Sequence, residues 1–335
     1  MVVAEAANEY LASIKSLRPR TQKGYTQRLR VFCDWCAEYD VNLEQINRRV
    51  VDGFVEYLKS GHSSRYNTHS QISTYTLAGY VRVISAFLNW CLEDDQYSQY
   101  VSVSTVRKIR LPKTDKIIQE IFTQEQLEKL KTACDKEDTK ELQVRAKAVV
   151  LLLIDTGIRA DELCTLKISD VHLQPSDSSI KIMGKGRRER KLPLSDQARR
   201  AMKWYLHEYR DAGLERYIKR EIEAKYLLSY EQEQLRQKLR ANAPVFASRD
   251  HSPLTVAGLE SLMNRLGGYA GLEGVVRCNP HKFRHTFAVQ FMLNGGDVYR
   301  LMLWLGHNNV RTTEEYLKTI QGWELLSQQL ERVSR

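Results

Sequence analysis

The stretch "PHKFRHTFAVQ", residues 280–290, sets His281, Lys282, Arg284 and His285 within five positions and then turns apolar. Pro280 suits the first position of a helix, and the i, i+4 spacing of His281 and His285 is that of a zinc-binding helix. The neighbours argue otherwise. A metalloprotease helix needs a glutamate beside its first histidine, whereas Lys282 and Arg284 repel a divalent cation and attract an anion. The free N–H groups and the dipole of a first helical turn would add to such an anion site. Taken alone, the stretch leaves two readings open: a phosphate-binding wall, or a basic helix start with a capping histidine.

The rest of the chain favours a polyanionic partner. Its 335 residues are enough for two domains with real cores. With 51 Lys and Arg against 41 Asp and Glu, the formal charge is +10, which suits nucleic acid or an anionic surface. Six scattered cysteines lie mostly in apolar periodic segments and read as buried reduced thiols. Cys33-x-x-Cys36 lacks the second pair that a zinc site needs, and no metal is expected. "MVVAEAANEY" at the start has no signal-peptide layout, and no stretch reaches the roughly 18 apolar residues of a membrane span. A cytoplasmic protein with no membrane partner is expected.

Residues 1–101 read as a small all-helical domain. Tyr25, Leu29, Phe32 and Cys36 share a face, as do Ile46, Val50, Phe54 and Leu58, and Leu77, Val81, Ile84 and Leu88. "RPRTQKGYTQRLR", residues 18–30, gathers Arg18, Arg20 and Lys23 where they could meet phosphates or form a solvated helix face. Residues 102–120 lose periodicity, carry a proline and read as a linker. A second domain, residues 121–335, begins at "FTQEQLEKL", where Thr123 and Gln126 fit a capping box. "AKAVVLLLIDTG" is a buried helix ended by Gly157. "SIKIMGKGRRERKLPLS", residues 179–195, alternates on both sides of Gly184-Lys185-Gly186 and predicts a β-hairpin with Lys185 in or beside its turn. A helix follows over roughly 196–210, and residues 214–240, balanced in charge, read as an exposed helical excursion. Further helices are expected at 255–267, 281–294, 297–305 and 312–333.

Three more segments give the histidine stretch its context. "DTGIRADEL" puts Arg159 just past one glycine-ended helix, "LGHNN" puts His307 just past another, and "TTEEYLK" places Tyr316 nine residues later. An arginine, a lysine in a hairpin, His-x-x-Arg, Gly-His and a tyrosine, in that order, resemble the tyrosine recombinase (phage integrase) family. The resemblance covers nearly the whole chain. It implies a mainly α fold with a small β-sheet in the catalytic domain, and two domains forming a C-shaped clamp on DNA. Its activity would be site-specific recombination, with no cofactor, metal or ATP.

The resemblance also implies roles. Tyr316 would attack a DNA phosphodiester to give a 3′-phosphotyrosyl link and a 5′-hydroxyl. Arg159 and Arg284 would clamp the non-bridging oxygens, and Lys185 would protonate the leaving 5′-oxygen. His281 and His307 would hydrogen-bond the phosphate and position or deprotonate the tyrosine. Glu162 would orient Arg159 from behind, while His285 is expected to support the buried helix face. Arg187, Arg188 and Lys282 are candidate DNA contacts, and Arg190 and Lys191 share the hairpin with Lys185.

Two departures stand out: Phe283 where leucine is usual, and the long excursion at 214–240, whose role stays open. After the tyrosine, a terminal helix over about 317–335 would carry Ile320, Trp323, Leu330 and Val333 on one stripe. In the family such a helix docks on a neighbouring subunit and links four protomers around two duplexes; packing on its own domain is the alternative. The short run before the helical domain favours a mobile-element integrase, transposase or resolvase over the larger phage integrases. A type IB topoisomerase-like nicking enzyme and a non-catalytic architectural protein are the rival readings. The target sequence, and any accessory factor or partner recombinase, are not legible in the residues.

Overall fold

Apolar residues at helical spacing are what bring the first helices together: α1 (Val3–Ser13), α2 (Pro19–Glu38), α3 (Arg48–Lys59) and α4 (Thr74–Glu93). The computed structural model describes residues 2–60, 72–113, 120–184, 189–225, 227–248, 252–307, 309–310 and 313–314, the side chain of Arg20 excepted. Leu29, Phe32 and Cys36 from α2 meet Phe54 and Leu58 from α3 and Leu77, Val81, Ile84 and Leu88 from α4 in one core. Phe32 and Phe54 pack edge to face at 5.0 Å. The stripe of α3 is Val51, Phe54, Val55 and Leu58. Val50 is only half-buried, and Ile46 is buried ahead of the helix, in the turn that precedes it. A short helix, α5 (Val103–Lys108), capped by Ser102, forms inside the stretch read as linker. Val106 and Ile109 pack on the first core, and the chain divides into two units between Ile117 and Ile118.

In the second unit the central element is α7 (Lys140–Thr156), which follows α6 (Gln124–Ala133). Its run from Ala148 to Leu153 is buried on every side, as a helix without a polar face must be. Thr123 and Gln126 close the capping box at the start of α6. Gly157 stops α7 in the left-handed region, at φ 55°, with its N–H on the Leu153 carbonyl. After α8 (Ala160–Cys164) comes an antiparallel sheet in the order β1 (Val171–Gln174), β2 (Asp177–Met183), β3 (Glu189–Pro193). Ile180 faces Leu192 across the hairpin, and both are buried.

The helix α9 (Asp196–Trp204) does not stop near 210. It passes through a π-helical turn, Tyr205–Arg210, into α10 (Asp211–Glu223), against which α11 (Ser229–Asn242) returns. This excursion has its own small core of Leu214, Ile218, Ile222 and Ala243. Glu215 takes hydrogen bonds from Arg236 and Arg240, each at 2.6 Å, so the balanced charges answer one another. The unit ends, among the described residues, with α12 (Val256–Tyr269), α13 (Pro280–Leu293) and α14 (Val298–Leu305), the last stopped by Gly306 at φ 64°. All six thiols are free, five of them buried. Burial pushes Cys33 and Cys36 up to about 12, which keeps both thiols protonated at neutral pH. No described helix is long and apolar enough to cross a membrane.

A Cβ added to Gly157 would lie 2.9 Å from Phe287 as well as forcing a side chain into the left-handed region. Gly157→Ala is expected to cost at least about 1–2 kcal/mol. Gly53, exposed within α3 with nothing near its missing Cβ, provides the contrast. Gly53→Ala should stabilise by roughly 0.5–1 kcal/mol. Urea denaturation of both variants checks the pair, and a neutral Gly157→Ala would contradict the cap.

Candidate active site

Glycine-ended helices leave carbonyls pointing outward, and here those carbonyls are used to hold guanidiniums. Arg284, at the start of the second turn of α13, is 4% exposed. It donates from Nη1 to the Gly157 carbonyl at 2.8 Å and from Nη2 to the Leu305 carbonyl at 2.7 Å. It thereby ties the end of α7 to the end of α14. Trp304 strengthens the same join by donating its indole N–H to the Thr156 carbonyl at 3.1 Å.

Arg159 caps α8 just beyond Gly157. Its backbone N–H and Nη1 both reach Glu162, at 3.0 and 3.1 Å, and Nη2 donates to the Gly306 carbonyl at 3.1 Å. Glu162 lies on the first turn of α8, with its side chain only 10% exposed. A second guanidinium answers it: Arg190 on β3 forks across both oxygens at 3.0 and 2.7 Å, and its Nε donates to the Trp304 carbonyl at 2.8 Å. Burial alone would raise the Glu162 pKa. The hydrogen bonds and charge of Arg190, then those of Arg159, outweigh it and hold the carboxyl below its usual range.

His307 follows Gly306 and closes the cluster. Its Nε2 lies 2.8 Å from Arg284 Nη2 and its Nδ1 2.9 Å from the buried Thr313 hydroxyl. A guanidinium has no acceptor, so Nε2 must accept and Nδ1 carries the proton that it gives to Thr313. Burial, then Arg284, Arg159 and Arg190, pull the ring down to about 4. His307 is a neutral imidazole at pH 7.

His281 sits on the exposed side of the first turn of α13, whose N-terminus is capped by Asn279 through the Lys282 N–H. Partial desolvation and then the charge of Arg284 lower its pKa. His285 is buried, 4% exposed, in the same helix. Thr286 beside it donates to the Lys282 carbonyl and accepts from the Phe122 N–H at 3.0 Å, fixing the segment that leads into α6 to α13. Lys282 lies half-buried over the Phe122 ring, 5.8 Å from its centre, and Phe283 packs on that ring's neighbourhood at 4.8 Å. Arg18, at the N-cap of α2, and Lys23 within it are both exposed.

Arg159, Glu162, Arg284 and His307 thus come together, with His281 at the mouth of the same helix. Lys185, Arg187, Arg188, Tyr316, Trp323, Leu330 and Val333 lie outside the described residues. Reading the sequence left Arg190 as one basic residue among several and passed over Trp304 and Thr313. The signal for Arg190 is the strand alternation itself: Leu192, two positions on, points inward, while Glu189 and Lys191 are exposed. An arginine at an inward position requires a buried acceptor.

Residues 120–321 match the phage integrase family and residues 2–101 the phage integrase SAM-like domain. Over 312 residues the chain is 30% identical to tyrosine recombinase XerC of Bacillus pumilus, covering 92% of this chain and 88% of that protein. It is 27% identical to tyrosine recombinase XerD of Oceanobacillus iheyensis, over 92% of this chain and 90% of that one. Among solved structures it resembles the XerH site-specific recombinase in a post-cleavage complex with its difH substrate, with TM-score 0.69, 20% identity, and 98% and 82% of the two chains covered. The Tn1549 transposon integrase in complex with transposon right end DNA gives TM-score 0.66 at 16% identity, with both chains fully covered (100% each). The chain belongs to the phage integrase family, the tyrosine recombinases.

Because the folded protein holds His307 well below the 6.5 of a free imidazole, the unfolded chain takes up a proton between about pH 6.5 and 4 that the folded chain refuses. Stability is full above that window and falls with pH through it, by on the order of 2–3 kcal/mol from this group. His307→Asn should lose that part of the slope. Urea midpoints at pH 7 and pH 4.5 for both proteins measure it, and an unchanged slope would contradict the burial and charge described.

Proposed function

We propose that the protein is a site-specific DNA recombinase that cuts and rejoins strands through a 3′-phosphotyrosyl intermediate. As a tyrosine recombinase it catalyses DNA cleavage and rejoining. The observation that carries the finer reading is the convergence of Arg159, Arg284 and His307 on the ends of α7 and α14. Guanidiniums held by carbonyls keep their charge, and fixed cations so placed suit a tetrahedral phosphate.

In the proposed step the Tyr316 oxygen attacks phosphorus and the bond from phosphorus to the 5′-oxygen breaks. Lys185 gives its proton to that oxygen, and the reverse reaction with another strand's 5′-hydroxyl rejoins the DNA. The phosphotyrosyl bond conserves the energy of the cleaved bond, so the chemistry requires no ATP. Both ring nitrogens of His307 are engaged, one by Arg284 and one by Thr313, which suits it to hold Arg284 in place and, through that guanidinium, the phosphate. His281 is exposed and kept neutral, which suits it to take the tyrosine proton. Glu162 orients Arg159, and His285 supports the helix that presents Arg284.

The DNA-bound XerH and Tn1549 integrase complexes support duplex DNA carrying a specific site as the partner. Arg18, Arg20, Lys23, Arg187, Arg188 and Lys282 are proposed to contribute backbone contacts. We further propose two domains, residues 1–101 and 121–335, closing on DNA as a clamp, with a homotetramer joined through a terminal helix bearing Trp323, Leu330 and Val333. Such an enzyme would serve a mobile element, as integrase, transposase or resolvase, in the cytoplasm, alone or with an accessory factor or partner recombinase.

Incubation with a nicked duplex carrying the crossover site should trap a covalent complex. Tyr316→Phe should abolish the adduct and leave DNA binding intact; an adduct that persists would overturn the nucleophile. Arg159→Ala or Arg284→Ala should slow cleavage by on the order of 100- to 1000-fold. Lys185→Ala should be severely slowed on ordinary DNA and restored by a sulfur at the leaving 5′ position, which needs little protonation. Absence of that rescue would move the acid elsewhere.

A further inference from the structure

We infer that Arg190 is a positioning residue for strand cleavage, one that holds the Glu162 carboxylate so that Arg159 stays available to the scissile phosphate; this rests on the recombinase reading above. The two arginines use the same carboxylate very differently. Arg190 forks across both oxygens, at 3.0 and 2.7 Å, and its side chain is 11% exposed. The Arg159 side chain touches one oxygen with one nitrogen, at 3.1 Å, and is 38% exposed. Among the described residues nothing accepts from the Arg159 Nε. One guanidinium is therefore consumed by the carboxylate, and the other is held at its edge.

Charge favours the same division of labour. A buried carboxylate seeks a bidentate guanidinium partner, and the pair so formed is close to neutral. With Arg190 in place, Glu162 already has that partner, and Arg159 adds a net positive charge toward the phosphate. Without Arg190, Glu162 would be left buried with Arg159 as its remaining cation. The carboxylate would then draw Arg159 inward and neutralise it.

Geometry extends the role to the other side of the site. Arg190 Nε is bound to the Trp304 carbonyl in the last turn of α14, directly ahead of Gly306 and His307. A Cβ on Gly306 would lie 3.0 Å from Arg190 Nη1 and 3.4 Å from Arg159 Nη1, so the glycine is what lets both guanidiniums reach this corner. Arg190 stands on β3, one residue from its start and five after Lys185 in the chain. The strand that leads away from the proposed general acid is thus pinned to the elements that carry Arg159 and His307.

The test is single-turnover cleavage under saturating protein, with DNA affinity and melting temperature measured alongside. Arg190→Met should bind DNA within about threefold of wild type and cleave on the order of 100-fold more slowly, as expected for loss of one transition-state donor. Adding Glu162→Gln removes the carboxylate charge that would sequester Arg159, and the double variant should regain about tenfold. A purely structural role for Arg190 would leave the double variant as slow as the single or slower. On a substrate with a neutral methylphosphonate at the scissile position, which asks less of Arg159, the defect of Arg190→Met should shrink by about tenfold. Should melting show Arg190→Met to be unfolded, Arg190→Gln, whose amide still donates one hydrogen bond, takes its place in the same comparison. A single variant within about threefold of wild-type cleavage, or no recovery in the double variant, overturns the inference and leaves the recombinase reading standing. A wild-type protein that forms no adduct with any site overturns both.

Discussion

The arrangement depends on one buried carboxylate. Glu162 takes the backbone N–H and one guanidinium nitrogen of Arg159 and the full fork of Arg190, so the loop after α7 and the strand β3 both close on it. A lone carboxylate at 10% exposure would be costly to ionise. Its cost is offset here because the hydrogen bonds satisfy both oxygens, and breaking one partner would leave a buried charge poorly compensated. The same geometry that stabilises Glu162 concentrates positive charge at the surface beyond it.

Like charges so close together need fixed dipoles as well as a counter-ion. The carbonyls of Gly157, Leu305, Gly306 and Trp304 supply them, each from the C-terminal end of α7 or α14 where the intrahelical partner is missing. Those ends also carry the negative pole of the helix dipole, which favours a cation. The left-handed glycines are therefore part of the electrostatics as well as the chain path. They stop each helix at the turn whose carbonyls an arginine then uses, and a side chain at Gly306 would crowd two of those arginines. His307, reached by the same stop, stays neutral because burial, and then the guanidiniums of Arg284, Arg159 and Arg190, disfavour its charged form.

Much of this corner was legible because its residues stand beside punctuation. Arg159 and His307 follow helix-ending glycines, Arg284 follows a helix-starting proline, and Glu162 falls at capping-box distance from Arg159. Arg190 was not, because in "RRERK" composition cannot separate an inward arginine from its solvated neighbours; only the strand register does. The helices of the excursion were readable from their residues, but the π-helical turn that joins them to α9 was not, since Tyr205–Arg210 itself contains neither glycine nor proline. Nor was α5 readable within the basic stretch 102–120, where six residues are too few to show a periodicity. Val51 and Val55 displaced Val50 from the core face of α3 because adjacent valines leave the phase of a stripe ambiguous by one position.

One measurement tests the central claim, that this cationic corner serves cleavage of a phosphodiester by Tyr316. The trapped adduct would be digested with trypsin and nuclease and the modified peptide mapped by mass. The expected product is the segment "TTEEYLK", residues 312–318, carrying a nucleotide linked through its 3′-phosphate to Tyr316. A nucleotide on any other peptide, or one joined through a 5′-phosphate, would contradict the account.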